Sequence, residues 1–327
     1  MSSVLVTGAT GFTGSHLTRR LLSERFKVSI LARPNSNYSI LELLGARVIH
    51  GDVTDMESVE KAVSGVDTVY HTAALFRAAR FPDSAYWATN YDGTMNIMRA
   101  SQKAGVKRIV YCSTVGVLGH IETPPADETA PYNPGDIYQK TKCAAEQEVL
   151  KLYESEGLPV TVVRPAGIYG PGDTRWLKLF KSIGQGKFAM IGSGKTLIHM
   201  VYISDLIDLF RLAADNPNSL GRVYIGAGAR YISLNELVET IADTEGAALS
   251  RMHIPVAPVR LLSGMCEDLC RCIGVEPPLY RRRVDFFIKD RAFSIARAKA
   301  ELGYAPKVDM EEGVHRTVAW YLEEGLI

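Results

Sequence analysis

Neither sign of charge dominates this sequence. Its 37 Lys and Arg residues face 36 Asp and Glu, a net of +1. That removes the usual electrostatic reason to expect nucleic acid or a membrane surface as partner. No apolar run approaches the roughly 20 residues of a membrane-crossing helix. An apolar strand opens at Val4, so no secretory leader is expected. There is no internal repeat and no low-complexity tract. Cysteine is scarce and odd in number, 5 in all. This fits reduced thiols in a cytoplasmic protein better than a disulfide framework. Cys266, Cys270 and Cys272 cluster, but without the paired C-x2-C spacing of a zinc site, so no metal is expected. Cys266 and Cys270 share a helix face, where thiols pack as small hydrophobes.

What is present is ordinary globular composition, 46% apolar and 22% charged residues, with one unusual stretch near the start. Val4-Leu5-Val6 reads as a strand, and Thr7-Gly8-Ala9-Thr10-Gly11-Phe12-Thr13-Gly14 as a glycine-rich turn opening a helix. Glycines at i, i+3 and i+6 remove Cβ where a phosphate must approach backbone N–H groups. The helix behind them offers unpaired donors and a partial positive charge. A dinucleotide pyrophosphate is held this way.

Strands and helices then alternate. Strands are read at 4–6, 27–31, 47–50, 68–71, 108–112 and 159–163. Helices are read at 12–25, 56–63, 86–104 and 137–155. The rhythm predicts an α/β fold, a Rossmann doubly wound parallel sheet with helices on both faces and its ligand crevice at the carboxyl ends of the strands. After Arg164-Pro165 the rhythm loosens. Short strands (188–191, 197–203, 222–225) mix with helices (204–214, 234–244, 256–273, 310–324). We therefore expect residues 1–165 to be the nucleotide-binding domain, with later segments returning to it. Residues 166–327 should be mainly a smaller mixed C-terminal substrate lobe.

Tyr138 and Lys142 lie four residues apart on one helix, so phenol and ammonium share a face. A free phenol has a pKa of about 10. A neighbouring cation favours the phenolate, which makes Tyr-x3-Lys a workable proton donor and acceptor. On an amphipathic helix the same spacing also describes a plain surface pair. Ser113 and Thr114 end the strand at 108–112, on the crevice side. A hydroxyl there can bind a substrate oxygen, or simply cap the strand end.

Together these segments resemble the extended short-chain dehydrogenases/reductases, the NAD-dependent epimerase/dehydratase family. The resemblance runs through Gly8-x2-Gly11-x2-Gly14, Gly51-Asp52-Val53, His71-Thr72-Ala73-Ala74, Asn90-x2-Gly93-Thr94 and Ser113-Thr114 before Gly119. It continues through Tyr138-x3-Lys142, Arg164-Pro165-x3-Tyr169-Gly170-Pro171-Gly172 and the tail from Ile295 to Tyr304. It implies that Tyr138 is the catalytic acid/base and that Lys142 lowers its pKa and holds the nicotinamide ribose. Thr114 would be the catalytic hydroxyl, with Ser113 as fallback. Asp52 and Val53 would contact adenine. Thr72, Ala73, Ala74 and Asn90 would line the dinucleotide path, and Pro165 and Ile168 the nicotinamide. Thr141 stands where many relatives have serine.

An acidic residue ending the second strand would bind the adenosine ribose diol. Here Ala32-Arg33-Pro34 stands instead, and Arg33 can pair with a 2′-phosphate, which favours NADP over NAD. For the substrate, the sequence around 192–205 is similar to the 3β-hydroxysteroid and sterol-4α-carboxylate dehydrogenase branch, near the dihydroflavonol reductases. Sugar-nucleotide enzymes carry an arginine where this chain has Ile198. Phe76, Phe81 and Trp87 suit an apolar or ring-containing substrate, or pack a lobe interface. His199 is expected to line the pocket or to sit as a satisfied structural histidine, while Arg77 and Arg80 leave room for an anion. The reading is an oxidoreductase moving a hydride between a nicotinamide and a secondary alcohol, ketone or aldehyde. A nucleotide-sugar epimerase or dehydratase is the alternative, and a non-catalytic cofactor-binding regulator the third. Apolar positions Ile97, Met98, Ala144, Ala145 and Val149, on two helices that pair with their copies in the resembling family, suggest a homodimer.

Overall fold

The computed structural model describes residues 2–76, 81–249, 252–272 and 281–327, with only the backbone at 267–272 and 281–283. The first half runs β1 (Ser3–Thr7), α1 (Phe12–Ser23), β2 (Lys27–Ala32), α2 (Ser39–Leu43), β3 (Arg47–His50), α3 (Met56–Val63) and β4 (Thr68–His71). Then come α4 (Asp83–Tyr86), a π-helical turn Trp87–Asp92, α5 (Gly93–Lys103), β5 (Arg108–Cys112), a 3-10 turn Val115–Leu118, α6 (Ile137–Glu156) and β6 (Val160–Pro165). The second half continues with β7 (Gly167–Tyr169), α7 (Leu177–Gly184), β8 (Met190–Ile191), β9 (Leu197–Ile198), β10 (Met200–Tyr202), α8 (Ile203–Asp215), β11 (Val223–Gly226) and β12 (Ile232–Ser233). It ends with α9 (Leu234–Glu245), β13 (His253–Ile254), α10 (Val256–Cys272), α11 (Arg281–Ile288), α12 (Ala296–Leu302) and α13 (Met310–Glu323).

Seven strands form one sheet in the order β11-β6-β5-β4-β1-β2-β3. Every neighbouring pair in it is parallel. Parallel strands covered on both faces read as continuous apolar runs, and the Val160–Pro165 strand is buried throughout. Along β1 the faces alternate: Val4 and Val6 join the core cluster with Leu17, Leu21 and Phe210, while Leu5 joins Val59, Val69, Ile97 and Val149. Chain order reverses between β1 and β4, so a crevice opens at their carboxyl ends, where both the glycine turn and Thr72–Ala74 emerge.

Several expectations need correction. The strand read at 222–225 is the seventh strand of the main sheet, paired with β6. The strand read at 197–203 is broken at His199: Ile198 pairs with Ile232, and Met200–Tyr202 pair with β7. The helix read at 86–104 contains the π-helical turn, whose extra residue turns Asn90 fully inward. Short α2, α7, α11 and α12 were missed; α7 carries only one apolar face, Phe180 and Ile183. The end of the helix read to Ile273, Arg77, Arg80 and the side chains of Cys270 and Cys272 lie outside the described residues. Ile97, Met98, Ala145 and Val149 are completely buried within the protomer, so they build its core and cannot form a partner face. Among the described residues no helix is long and apolar enough to cross a membrane.

Candidate active site

β1 delivers Thr7 to the glycine turn. Gly8 has φ +72°, and a Cβ there would lie 2.6 Å from the Ala73 backbone nitrogen. A Cβ on Gly14 would lie 2.1 Å from the Gly8 carbonyl oxygen, so helix and strand meet only because that atom is missing. The turn is closed by Gly11 N–H donating to Gly8 O at 3.0 Å. Gly11 is also the N-cap of α1 and brings no side chain, so no side chain caps the first N–H groups of the helix. Thr10 and Gly11 are exposed there, Phe12 and Thr13 half-buried. Opposite them, Thr72 Oγ1 donates to Thr7 O at 2.7 Å; Ala73 packs on Gly8, and Ala74 is exposed. A dinucleotide diphosphate fits this cradle.

A buried histidine stiffens the floor. His71 Nδ1 lies 2.7 Å from Thr7 Oγ1, and its Nε2 lies 3.0 Å from Thr94 Oγ1. Thr94 already donates to Asn90 O, so Nε2–H must donate to Thr94, and Thr7 O–H to Nδ1. Burial, aided by the Lys142 charge, pushes the His71 pKa down to about 3, and the ring stays neutral.

α6 begins at a capping box: Asp136 accepts from Gln139 N at 2.8 Å, and Gln139 reaches back to the Asp136 backbone. Tyr138 therefore sits in the first turn and Lys142 one turn on. A buried arginine anchors this helix to the sheet. Arg164 donates to Glu146 at 2.6 Å, to Tyr132 Oη at 3.0 Å and to Glu128 O at 3.1 Å. Lys142 is 1% exposed and donates to Cys112 O at 2.8 Å, its ammonium 4.2 Å from the centre of the Tyr111 ring. Burial lowers its pKa to about 8. Thr114 Oγ1 accepts from Gly116 N at 3.0 Å, which leaves its own proton to donate. Ser113 Oγ is buried without a hydrogen-bond partner among the described residues. Phe76 meets Tyr138 edge to face at 4.9 Å, while Phe81 is 38% exposed on the same loop.

At the adenosine end, Asp52 accepts from Thr54 N and Oγ1, and buried Val53 packs under Gly93. Arg33 is exposed at the end of β2 and has no side-chain partner among the described residues. Pro165 ends β6, and Ile168 of β7 pairs with Val201 of β10.

Two expected site residues turn inward. Asn90 Oδ1 accepts from Leu75 N at 2.7 Å, and its Nδ2 donates to Leu75 O and Thr141 Oγ1, each at 3.1 Å. It clasps the Phe76 loop to α6. His199 accepts from Phe293 N at Nδ1, so its Nε2–H donates to Gly228 O at 3.0 Å. Both nitrogens are spent on backbone, burial lowers its pKa to about 4, and nothing remains for a substrate. One residue was missed. Arg175 sits between the rings of Phe12, 5.1 Å away, and Phe76, 5.7 Å away. The Asp173-x-Arg175 spacing after Gly172 was the available signal.

The model of the "NAD dependent epimerase/dehydratase family" matches residues 4–226. A 3 beta-hydroxysteroid dehydrogenase/Delta 5-->4-isomerase of Mycobacterium tuberculosis is 32% identical over 98% of this chain and 91% of the relative. A sterol-4-alpha-carboxylate 3-dehydrogenase, decarboxylating, of Saccharomyces cerevisiae is 31% identical over 100% and 99%. A 2-alkyl-3-oxoalkanoate reductase of Stenotrophomonas maltophilia is 31% identical over 97% and 98%. The crystal structure of gox2253 superposes with TM-score 0.85 at 32% identity, covering 100% of both chains.

Proposed function

The chain belongs to the NAD dependent epimerase/dehydratase family, and from that premise we propose that it oxidises or reduces a secondary carbinol or carbonyl on an apolar or ring-containing substrate. The carrying observation is that the glycine turn and Thr114 follow the carboxyl ends of neighbouring parallel strands, while Phe12 and Phe76 flank Arg175 and Phe76 meets the Tyr138 ring. A bound nicotinamide dinucleotide supplies the hydride acceptor. In the oxidising direction, Thr114 O–H donates to the carbinol oxygen and orients it. Tyr138 takes the carbinol proton as the carbon loses its hydrogen with the electron pair. Lys142, fixed on Cys112 O, keeps further N–H donors for ribose hydroxyls and holds positive charge beside the phenol. We propose Gly8, Thr10, Gly11, Phe12, Thr13 and Gly14 for the diphosphate and Thr72–Ala74 for its far side. Asp52 and Val53 are proposed for adenine, and Pro165 and Ile168 for the nicotinamide. Ser113 backs Thr114, and Asn90 serves by positioning.

Arg33 supports NADP over NAD. Ile198, 7% exposed and paired with Ile232, offers nothing to a sugar-nucleotide diphosphate, which weighs against the epimerase reading. Residues 1–165 with β11 would carry the cofactor and most of 166–327 the substrate. A homodimer would use the half-buried outer residues Tyr91, Met95 and Leu150; a monomer mass by light scattering removes it. The free thiols Cys112, Cys143 and Cys266 support the cytoplasm. The test is a screen of sterols, flavanols, aldehydes and 3-hydroxy acids for nicotinamide absorbance changes. Tyr138→Phe should lower turnover by about 10²–10⁴-fold with cofactor affinity kept; unchanged turnover refutes the assignment.

A further inference from the structure

We propose that Arg175 is a carboxylate receptor: the substrate carries an anionic carboxylate beside its reacting carbinol, and Arg175 binds it. This rests on the oxidoreductase reading above and adds the substrate's second functional group.

Arg175 is held in advance. Its Nε donates to Asp173 Oδ1 at 2.7 Å, and its Nη2 to Asp173 Oδ2 at 2.9 Å and to Ile168 O at 3.1 Å. Asp173 is itself 1% exposed, and Tyr321 Oη donates to its carbonyl at 2.7 Å. The guanidinium is therefore fixed along one edge. Nη1, with two N–H groups, has no partner among the described residues. A pre-oriented arginine fork with unspent donors is the group that recognises a planar anion best.

Its place selects the anion. The guanidinium lies 5.7 Å from the Phe76 ring centre, and that ring lies 4.9 Å from the Tyr138 ring. One aromatic ring thus touches both the cation and the proton-transfer phenol, which puts them on the same wall of the crevice. The other neighbour is Phe12, which opens α1. The diphosphate already has a receptor in the uncapped N–H groups of that helix, so the face of Arg175 toward Phe76 is left to the substrate. Lys142, the buried cation of the crevice, is committed to Cys112 O, whereas Arg175 stays open to solvent on one side. A cation set among aromatic rings favours a molecule with an apolar body and one carboxylate, such as a 2-alkyl-3-hydroxy acid.

The test compares a 2-alkyl-3-hydroxyalkanoate with its methyl ester, both oxidised with NADP or NAD. Wild type should prefer the acid in kcat/KM by about tenfold or more, as expected for a charge-assisted pair. Arg175→Met should bring the acid-to-ester ratio close to one, and Arg175→Lys should keep part of it. Because Arg175→Met leaves the buried Asp173 carboxylate without its cation, the double variant Arg175→Met with Asp173→Asn guards against misfolding, with cofactor Kd as the check of the fold. Equal use of acid and ester by wild type overturns the proposal, as does a ratio unchanged in the variants. A raised cofactor Kd with the ratio unchanged also overturns it, and assigns Arg175 to the diphosphate. If neither acid nor ester reacts, the receptor is refuted, while turnover of a neutral sterol or ketone in the same assay preserves the oxidoreductase reading.

Discussion

The cradle and the substrate side of the crevice are built on opposite principles. The cradle is backbone meeting backbone: Gly8 against Ala73, Gly14 against Gly8 O, and an uncapped helix end. The substrate side is made of side chains from distant segments, Phe76, Tyr138 and Arg175, held by side-chain hydrogen bonds and ring contacts. The first tolerates almost no added atom. The second can be rebuilt one side chain at a time, so one scaffold can serve many substrates.

The sharpest way to break this contrast is Gly14→Val. The added Cβ would overlap the Gly8 carbonyl, so α1 has to move off β1. Cofactor binding by calorimetry should fall at least about 100-fold, the order of a small displacement at a positioned site; a retained Kd would mean the cradle is softer than its contacts indicate. A smaller effect is expected at His199. His199→Leu orphans Phe293 N and Gly228 O and should cost about 2–4 kcal/mol in urea unfolding. The sign of its pH dependence follows from the lowered folded pKa. The unfolded chain takes up a proton below about 6.5 while folded His199 does not until about 4, so stability is full above pH 6.5 and falls as pH drops through that window. His71, held neutral to about 3, adds to the same acid loss. The His199→Leu protein should therefore lose less stability than wild type between pH 7 and 5, and equal losses would contradict a neutral buried ring. The smallest change is Arg33→Glu, on an exposed residue. It should shift preference from NADP toward NAD by about tenfold, read from paired Kd values; no shift removes Arg33 from cofactor selection.

The same contrast explains what the sequence disclosed. β1, the glycine turn and α1 are consecutive, and their spacing is set by the local chain, so they could be read directly. Tyr138 and Lys142 share a helix turn and could be read too. The strand at 222–225 could be read, but its place in the main sheet could not, because its partner β6 lies far back in the chain. The break at His199 depends on Phe293 N and Gly228 O, which no local pattern announces. Arg175 was overlooked for a related reason. An arginine after a glycine-proline loop resembles any solvated charge until Asp173, Phe12 and Phe76 are seen around it. Asn90 carried a motif signal, but the π-helical turn that points it inward cannot be seen in residue spacing.

Asn90 has a further consequence. One amide holds Leu75, next to Phe76, and Thr141, next to Lys142. The aromatic wall and the proton-transfer helix are thus yoked rather than separately adjustable. Any exchange of the loop for one suited to another substrate has to bring a matching yoke, or the phenol loses its aim together with the wall. Lineages that diversify their substrates on this scaffold are constrained to inherit loop and helix as a pair.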